Sequence, residues 1–79
     1  MRNLNMLQYT PKKRVLITAR EKEVLQLIAL GYTDPEIGSR LFLSKFTINT
    51  HRKSLIKKFD AKNACNLILK AMQENCMQL

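Results

Sequence analysis

Residues 33–59 read TDPEIGSRLFLSKFTINTHRKSLIKKF, and they spell two helices separated by a tight turn. Thr33 and Glu36 form a capping box, in which each side chain satisfies a free backbone N–H of the first helical turn. Pro35 falls in that turn, where a missing N–H costs nothing. Tyr32 and Ile37 occupy the two positions of a hydrophobic staple, and Ile37 with Leu41 supplies the buried stripe. After Leu43, Ser44 is placed to cap a second helix spanning about 45–59, whose Ile48, Leu55 and Phe59 recur at i, i+7 and i+11. A helix-turn-helix needs a small residue where its helices cross, an apolar residue at the turn and another early in the second helix. Gly38, Leu43 and Ile48 stand at those places. Glycine inside a helix costs about 1 kcal/mol against alanine, so close packing is its expected reason, with early termination of the helix as the alternative.

Working outward, Thr18 and Glu21 form another capping box, Val24, Leu25 and Ile28 follow at helical spacing, and Gly31 is suited to a left-handed helix end. Beyond the central pair, a fourth helix is expected from Asn63 to about Gln73, with Leu67, Ile68, Ala71 and Met72 as its apolar set. No stretch alternates with period two. The expected fold is all-α: a four-helix domain over 15–79 containing a helix-turn-helix, preceded by a flexible basic leader or linker over 1–14. The tail from Asn75 is expected to fray, with Cys76 and Met77 extending a contact surface as the alternative.

Among 79 residues, Lys and Arg number 14 against 6 Asp and Glu, a net charge of +8 that favours a polyanionic partner. The charge is concentrated. Residues 1–14 carry Arg2, Lys12, Lys13 and Arg14, or +4; residues 44–58 carry Lys45, Arg52, Lys53, Lys57 and Lys58, or +5, with no acid. Thr18 to Phe42 sums to −1 and Asp60 to Leu79 to zero. So short a chain leaves little room for a substrate cavity, and no nucleophile, base or carboxylate pair stands at a catalytic spacing, so an enzyme is not expected. Cys65 and Cys76 are about 16 Å apart along a helix, beyond disulfide reach. With one histidine and no CxxC motif, neither a metal site nor a cofactor is expected. Reduced thiols, with no long apolar run or signal peptide, place the chain in the cytoplasm as an expectation.

A helical wheel of about 100° per residue sends Ile48, His51, Leu55 and Phe59 inward, with His51 read as a packed histidine. The opposite face centres on Phe46, Asn49, Thr50, Lys53 and Lys57, the face a recognition helix would lay in a major groove wide enough to admit it. Asn49 suits the N6 and N7 edge of adenine, and Lys53 the O6 and N7 edge of guanine; the Phe46 ring and Thr50 methyl suit a thymine methyl. Ser44, Lys45, Thr47, Arg52, Lys57 and Lys58 lie toward the flanks or ends and are expected to hold phosphates, which set register and affinity rather than sequence preference. Thr47 stands where the other capping boxes carry glutamate; an acid there would repel a phosphate approaching the helix N-terminus.

Three stretches, ITAREKEVL (17–25), GYTDPEIG (31–38) and LSKFTINTHRK (43–53), continued by Lys57-Lys58-Phe59 and Lys62-Asn63, carry a family resemblance. Over residues 17–72, about seven-tenths of the chain, the sequence resembles the C-terminal DNA-binding domain of LuxR/FixJ-type bacterial transcriptional regulators. The resemblance implies that the third helix reads the major groove of double-stranded DNA, with Asn49, Thr50 and Lys53 at base-contacting positions and Lys58 against the backbone. It also implies a homodimer through the fourth helix, where Leu67, Lys70 and Ala71 are the residues expected at the interface. Four positions depart from the pattern: Gly38 replaces a usual alanine, Ala61 a larger apolar residue, and Asp60 a frequent glycine, while Phe46 is unusually apolar. Such domains usually follow a sensor or phosphoacceptor domain, which 14 leader residues cannot hold; a fragment and a single-domain regulator remain alternatives. Two other functions compete: an adaptor that binds a regulator or RNA polymerase instead of DNA, and sequence-blind binding of nucleic acid by charge.

Overall fold

A computed structural model describes residues 15–74, and the expected leader and tail lie outside them. Four helices make up the described chain: α1 (Ala19–Ala29), α2 (Asp34–Leu41), α3 (Lys45–Phe59) and α4 (Ala64–Gln73), with no strand among the described residues. Each begins on a side-chain cap. Thr18 Oγ1 accepts from the Glu21 N–H at 3.0 Å, and the Glu21 carboxylate accepts from the Thr18 N–H at 2.9 Å. Thr33 and Glu36 repeat the arrangement. Ser44 Oγ accepts from the Thr47 N–H at 3.1 Å, and Asn63 Oδ1 from the Asn66 N–H at 2.8 Å. These bonds satisfy N–H groups that the helix itself leaves without partners.

The helices enclose one core, in which Val24, Leu25, Ile28, Ile37, Ile48, Leu55, Phe59, Leu67 and Ala71 are buried. The long helix α3 is central and packs against all three others. At the staple, Tyr32 is half-buried against the core; Arg40 lies 4.1 Å over its ring and donates to its hydroxyl at 2.7 Å. Crowding at Gly38 comes from the turn and not from α3 side chains: a Cβ there would collide with the Leu43 carbonyl oxygen. The Leu43 N–H donates back to the Gly38 carbonyl at 2.9 Å, so the turn folds directly over the glycine.

Helix ends require left-handed backbone at three places. Gly31, with φ 93°, supplies it freely. Asp60 takes φ 54° at the end of α3, filling the place of the expected glycine and keeping the turn into α4; aspartate tolerates this region better than most residues. Phe42 ends α2 at φ 59° with its side chain 94% exposed, so its ring gains little packing to offset the strain. Replacing Phe42 with glycine is therefore expected to raise stability by about 0.5–1 kcal/mol, the relief of strain exceeding the extra entropy of the unfolded chain. A thermal melt checks this; a lower Tm would mean that the ring contributes contacts outweighing its strain.

Candidate nucleic-acid interface

One side of α3 is turned away from the core. Phe46, Thr50, Lys53 and Lys57 are exposed on it, and Asn49 is half-buried among them. The alternation arises because Ile48, Leu55 and Phe59 anchor the opposite side. Phe46 is 74% exposed, and the Lys45 ammonium lies 5.4 Å from its ring centroid. The Thr50 hydroxyl donates to the Phe46 carbonyl at 3.0 Å, which leaves its methyl as the group free for contact. The Asn49 carboxamide makes no hydrogen bond to any described residue. A half-buried amide with open donors and acceptor is placed for an external partner, since desolvating it unpaired is costly. Asp34, Lys45, Phe46 and Asn49 line a shallow recess between the start of α2 and α3. At the helix N-terminus, Ser44 Oγ and Thr47 Oγ1 are 3.1 Å apart and both side chains are exposed.

The six groups expected at phosphates are not equivalent. Lys45 and Lys57 are exposed and have no ion-pair partner among the described residues, and the same holds for Lys53, which was expected at base edges. Arg52 is held instead by Asp34: its Nε donates to Oδ1 at 3.1 Å and its Nη2 donates to the same oxygen, with both side chains largely covered. Lys58 Nζ lies 2.7 Å from Glu21 Oε1, which is buried at 5% exposure. Ser54 donates to the other Glu21 oxygen at 2.9 Å. Burial pushes the Glu21 carboxyl up, but bonds from Lys58, the Thr18 N–H and Ser54 outweigh it and hold the group below its ordinary value. Arg52 and Lys58 thus tie α3 to α2 and α1, whereas the α3 helical register alone had placed both with the free cations. Lys58 remains over a third exposed, so its ammonium is still open on one side.

The three α4 residues expected at an interface are placed within the chain's own fold. Leu67 and Ala71 are fully buried in the chain's own core, and Lys70 Nζ donates to the Asp60 carbonyl at 2.8 Å. Neither Leu67 nor Ala71 is exposed at the surface of the described chain. The outward side of α4 carries Cys65, Leu69 and Met72, with Leu69 54% and Met72 41% exposed. Leu69 lies within the apolar run Leu67-Ile68-Leu69 and was outside the expected apolar set, which was read for the inward side alone. Glu21 was expected only as a capping residue, and Asp34 was given no role. Their opposite charge to Arg52 and Lys58 is visible in the sequence, but the pairing is not.

Residues 15–71 match the family model described as bacterial regulatory proteins, luxR family. The chain is similar to the "Uncharacterized response regulatory protein YgeK" of Escherichia coli K12, at 46% identity over 57 residues, covering 72% of this chain and 39% of that protein. It is 39% identical over 56 residues to the CsgBAC operon transcriptional regulatory protein of Escherichia coli K12, covering 71% of this chain and 26% of the relative. Against response regulator protein VraR of Staphylococcus aureus it is 33% identical over 63 residues, covering 80% and 30%. The crystal structure of response regulator ChrA in a heme-sensing two-component system is similar at a TM-score of 0.74 and 27% identity, over 94% of this chain and 36% of that one. The chain therefore spans between about a quarter and two fifths of the length of these relatives.

Proposed function

The chain belongs to the luxR family of bacterial regulatory proteins, and from that premise we propose that it is the DNA-reading output domain of a transcriptional regulator, with α3 lying in the major groove. The observation that carries this reading is the outward side of α3, where an Asn49 carboxamide with no partner among the described residues sits among exposed Phe46, Thr50 and Lys53 with no acid on the helix. Asn49, Lys53, Phe46 and the Thr50 methyl read base edges. Lys45 and Lys57 hold phosphates from the flanks, with Ser44 and Thr47 offering hydroxyls at the helix start. Arg52 serves mainly to brace α3 against α2. Lys58 braces α3 against α1, and its open side reaches the backbone.

Selection of the chain on a randomised duplex pool at roughly physiological salt tests this reading. An enriched motif is the expected result. Retention without enrichment would mean binding by charge alone. No retention by a folded chain would overturn DNA binding and favour a regulator or RNA polymerase as the partner.

The regulator acts as a homodimer on two half-sites, and the outward stripe of Cys65, Leu69 and Met72 is the contact, at i, i+4 and i+7 on one helical side. Burying this stripe between two copies explains an apolar surface that the domain's own core leaves open. Leu69→Glu is expected to weaken binding to a paired site by on the order of tenfold to a hundredfold, by removing the gain from tethering the second copy. Affinity for an isolated half-site should stay the same. Electrophoretic titration of the two duplexes checks it; an equal loss on both would place the defect in the fold and not in pairing.

A further inference from the structure

Asp34 is an acid on the side of the molecule proposed to face a polyanion, and that position calls for a reason. It is the first residue of α2, and it lines the same recess as Lys45, Phe46 and Asn49. Arg52 donates both of its bonds to a single carboxylate oxygen, Oδ1. The second oxygen, Oδ2, receives no hydrogen bond from any described residue. The Asp34 side chain is 22% exposed and lines that open recess. Arg52 therefore does two things for Asp34: it fixes the carboxylate in one orientation, and it cancels the charge that would otherwise repel the DNA backbone.

We propose that Asp34 is a base-specificity residue contributed from outside α3, its pinned carboxylate accepting a hydrogen bond from a cytosine amino group beside the base pair read by Asn49. The inference rests on α3 lying in the major groove, since only then does the recess open onto base edges. A carboxylate offers acceptors alone, so its partner must be a donor. In the major groove the donors are the cytosine N4 and adenine N6 amino groups. Adenine sets the N7 acceptor beside its amino group, which repels a carboxylate, whereas cytosine presents N4 by itself. Thymine and guanine turn acceptors toward the site and leave the carboxylate unpaired. Cytosine is thus favoured by elimination as well as by its own bond. Pinning strengthens the discrimination, because a carboxylate held by Arg52 cannot swing away from the wrong base.

Randomised-pool selection with wild type, Asp34→Ala and Asp34→Asn tests the assignment. The wild type is expected to enrich a motif with a cytosine preference on the order of tenfold at one column adjoining the Asn49 column. In Asp34→Ala that column should lose its cytosine, and the freed Arg52 guanidinium should turn it toward guanine, while the other columns stay. Asp34→Asn, close in shape and still able to accept from Arg52, keeps the fold and should relax the column, because an amide both donates and accepts. If both variants return the wild-type motif with uniformly higher affinity, Asp34 acts only as a repulsive charge and the proposal is overturned. If the wild type itself enriches no motif, the groove reading fails and takes this assignment with it. An enriched wild-type motif that persists unchanged in Asp34→Ala sinks the Asp34 assignment alone.

Discussion

Glu21→Ala is expected to lower the stability of the chain by about 2–4 kcal/mol, which for a domain of this size is a fall in Tm on the order of 15 °C. Three hydrogen bonds, from the start of α1 and from α3, meet on this one carboxylate. It caps the Thr18 N–H of α1, accepts from Ser54 on α3, and pairs with Lys58 one turn further along the same helix. Losing the capping arm costs about 1 kcal/mol. Losing two bonds to a buried charged acceptor costs more, tempered because Lys58 is 37% exposed and regains water once freed. A calorimetric melt measures the effect, and a Tm within 2–3 °C of wild type, less than about 1 kcal/mol, would show that the node is not what holds α1 to α3.

The same node gives the stability an acid limit whose sign can be worked out. The folded Glu21 carboxyl titrates below its unfolded value of 4.5, so in that interval the unfolded chain binds more protons than the folded one. Stability therefore rises with pH through the interval. The contribution is complete above about pH 4.5 and is lost as pH falls through the folded value. Glu36 is shifted in the same direction, by the backbone N–H and then the hydroxyl of Thr33, and adds to the trend from an exposed position. Glu21→Gln, which keeps the shape but cannot ionise, should melt with a shallower dependence on pH below that value. An unchanged pH profile would assign the acid limit elsewhere.

Asn49→Ala is expected to abolish discrimination at one base pair, by about 1–3 kcal/mol, while leaving the other positions of the motif intact. The reason is local. Asn49 has no partner among the described residues, so removing its amide should leave the fold untouched and remove the proposed contact to the base edge. Lys57→Ala should behave in the opposite way, weakening every duplex alike and lowering the salt slope by about 1. Competition titrations on the selected duplex and its single-pair variants separate the two. If Asn49→Ala weakened all duplexes equally, base reading by Asn49 would be wrong and the helix would be holding DNA by charge.

Much of this molecule was legible before its structure was known. All four helix starts are carried by residues that act within a single turn: Thr18 with Glu21, Thr33 with Glu36, Ser44 and Asn63. Apolar spacing located the inward side of α3, because Ile48, Leu55 and Phe59 repeat with the helix itself. Helical spacing does not say which cations are paired or which side of α4 the core takes. Arg52 lies 18 positions from Asp34, and Lys58 lies 37 from Glu21; no helical period links residues so far apart. On α4, Leu67 and Ala71 were expected at a partner, yet the core takes them and turns Leu69 and Met72 outward. Gly38 was correctly read as a site of close approach, but the crowding atom is a carbonyl of the turn.

The sequence by itself determined the helices, their caps, the turn between α2 and α3 and the acid-free strip of charge along α3, because each depends on interactions reaching no further than one or two helical turns. The tertiary structure decided which of those cations stay free, which side of α4 is left open, and that an acid from α2 borders the recess beside Asn49. Those outcomes depend on how the helices cross, and crossing is settled by the packing of a shared core, in which every buried side chain constrains the others at once.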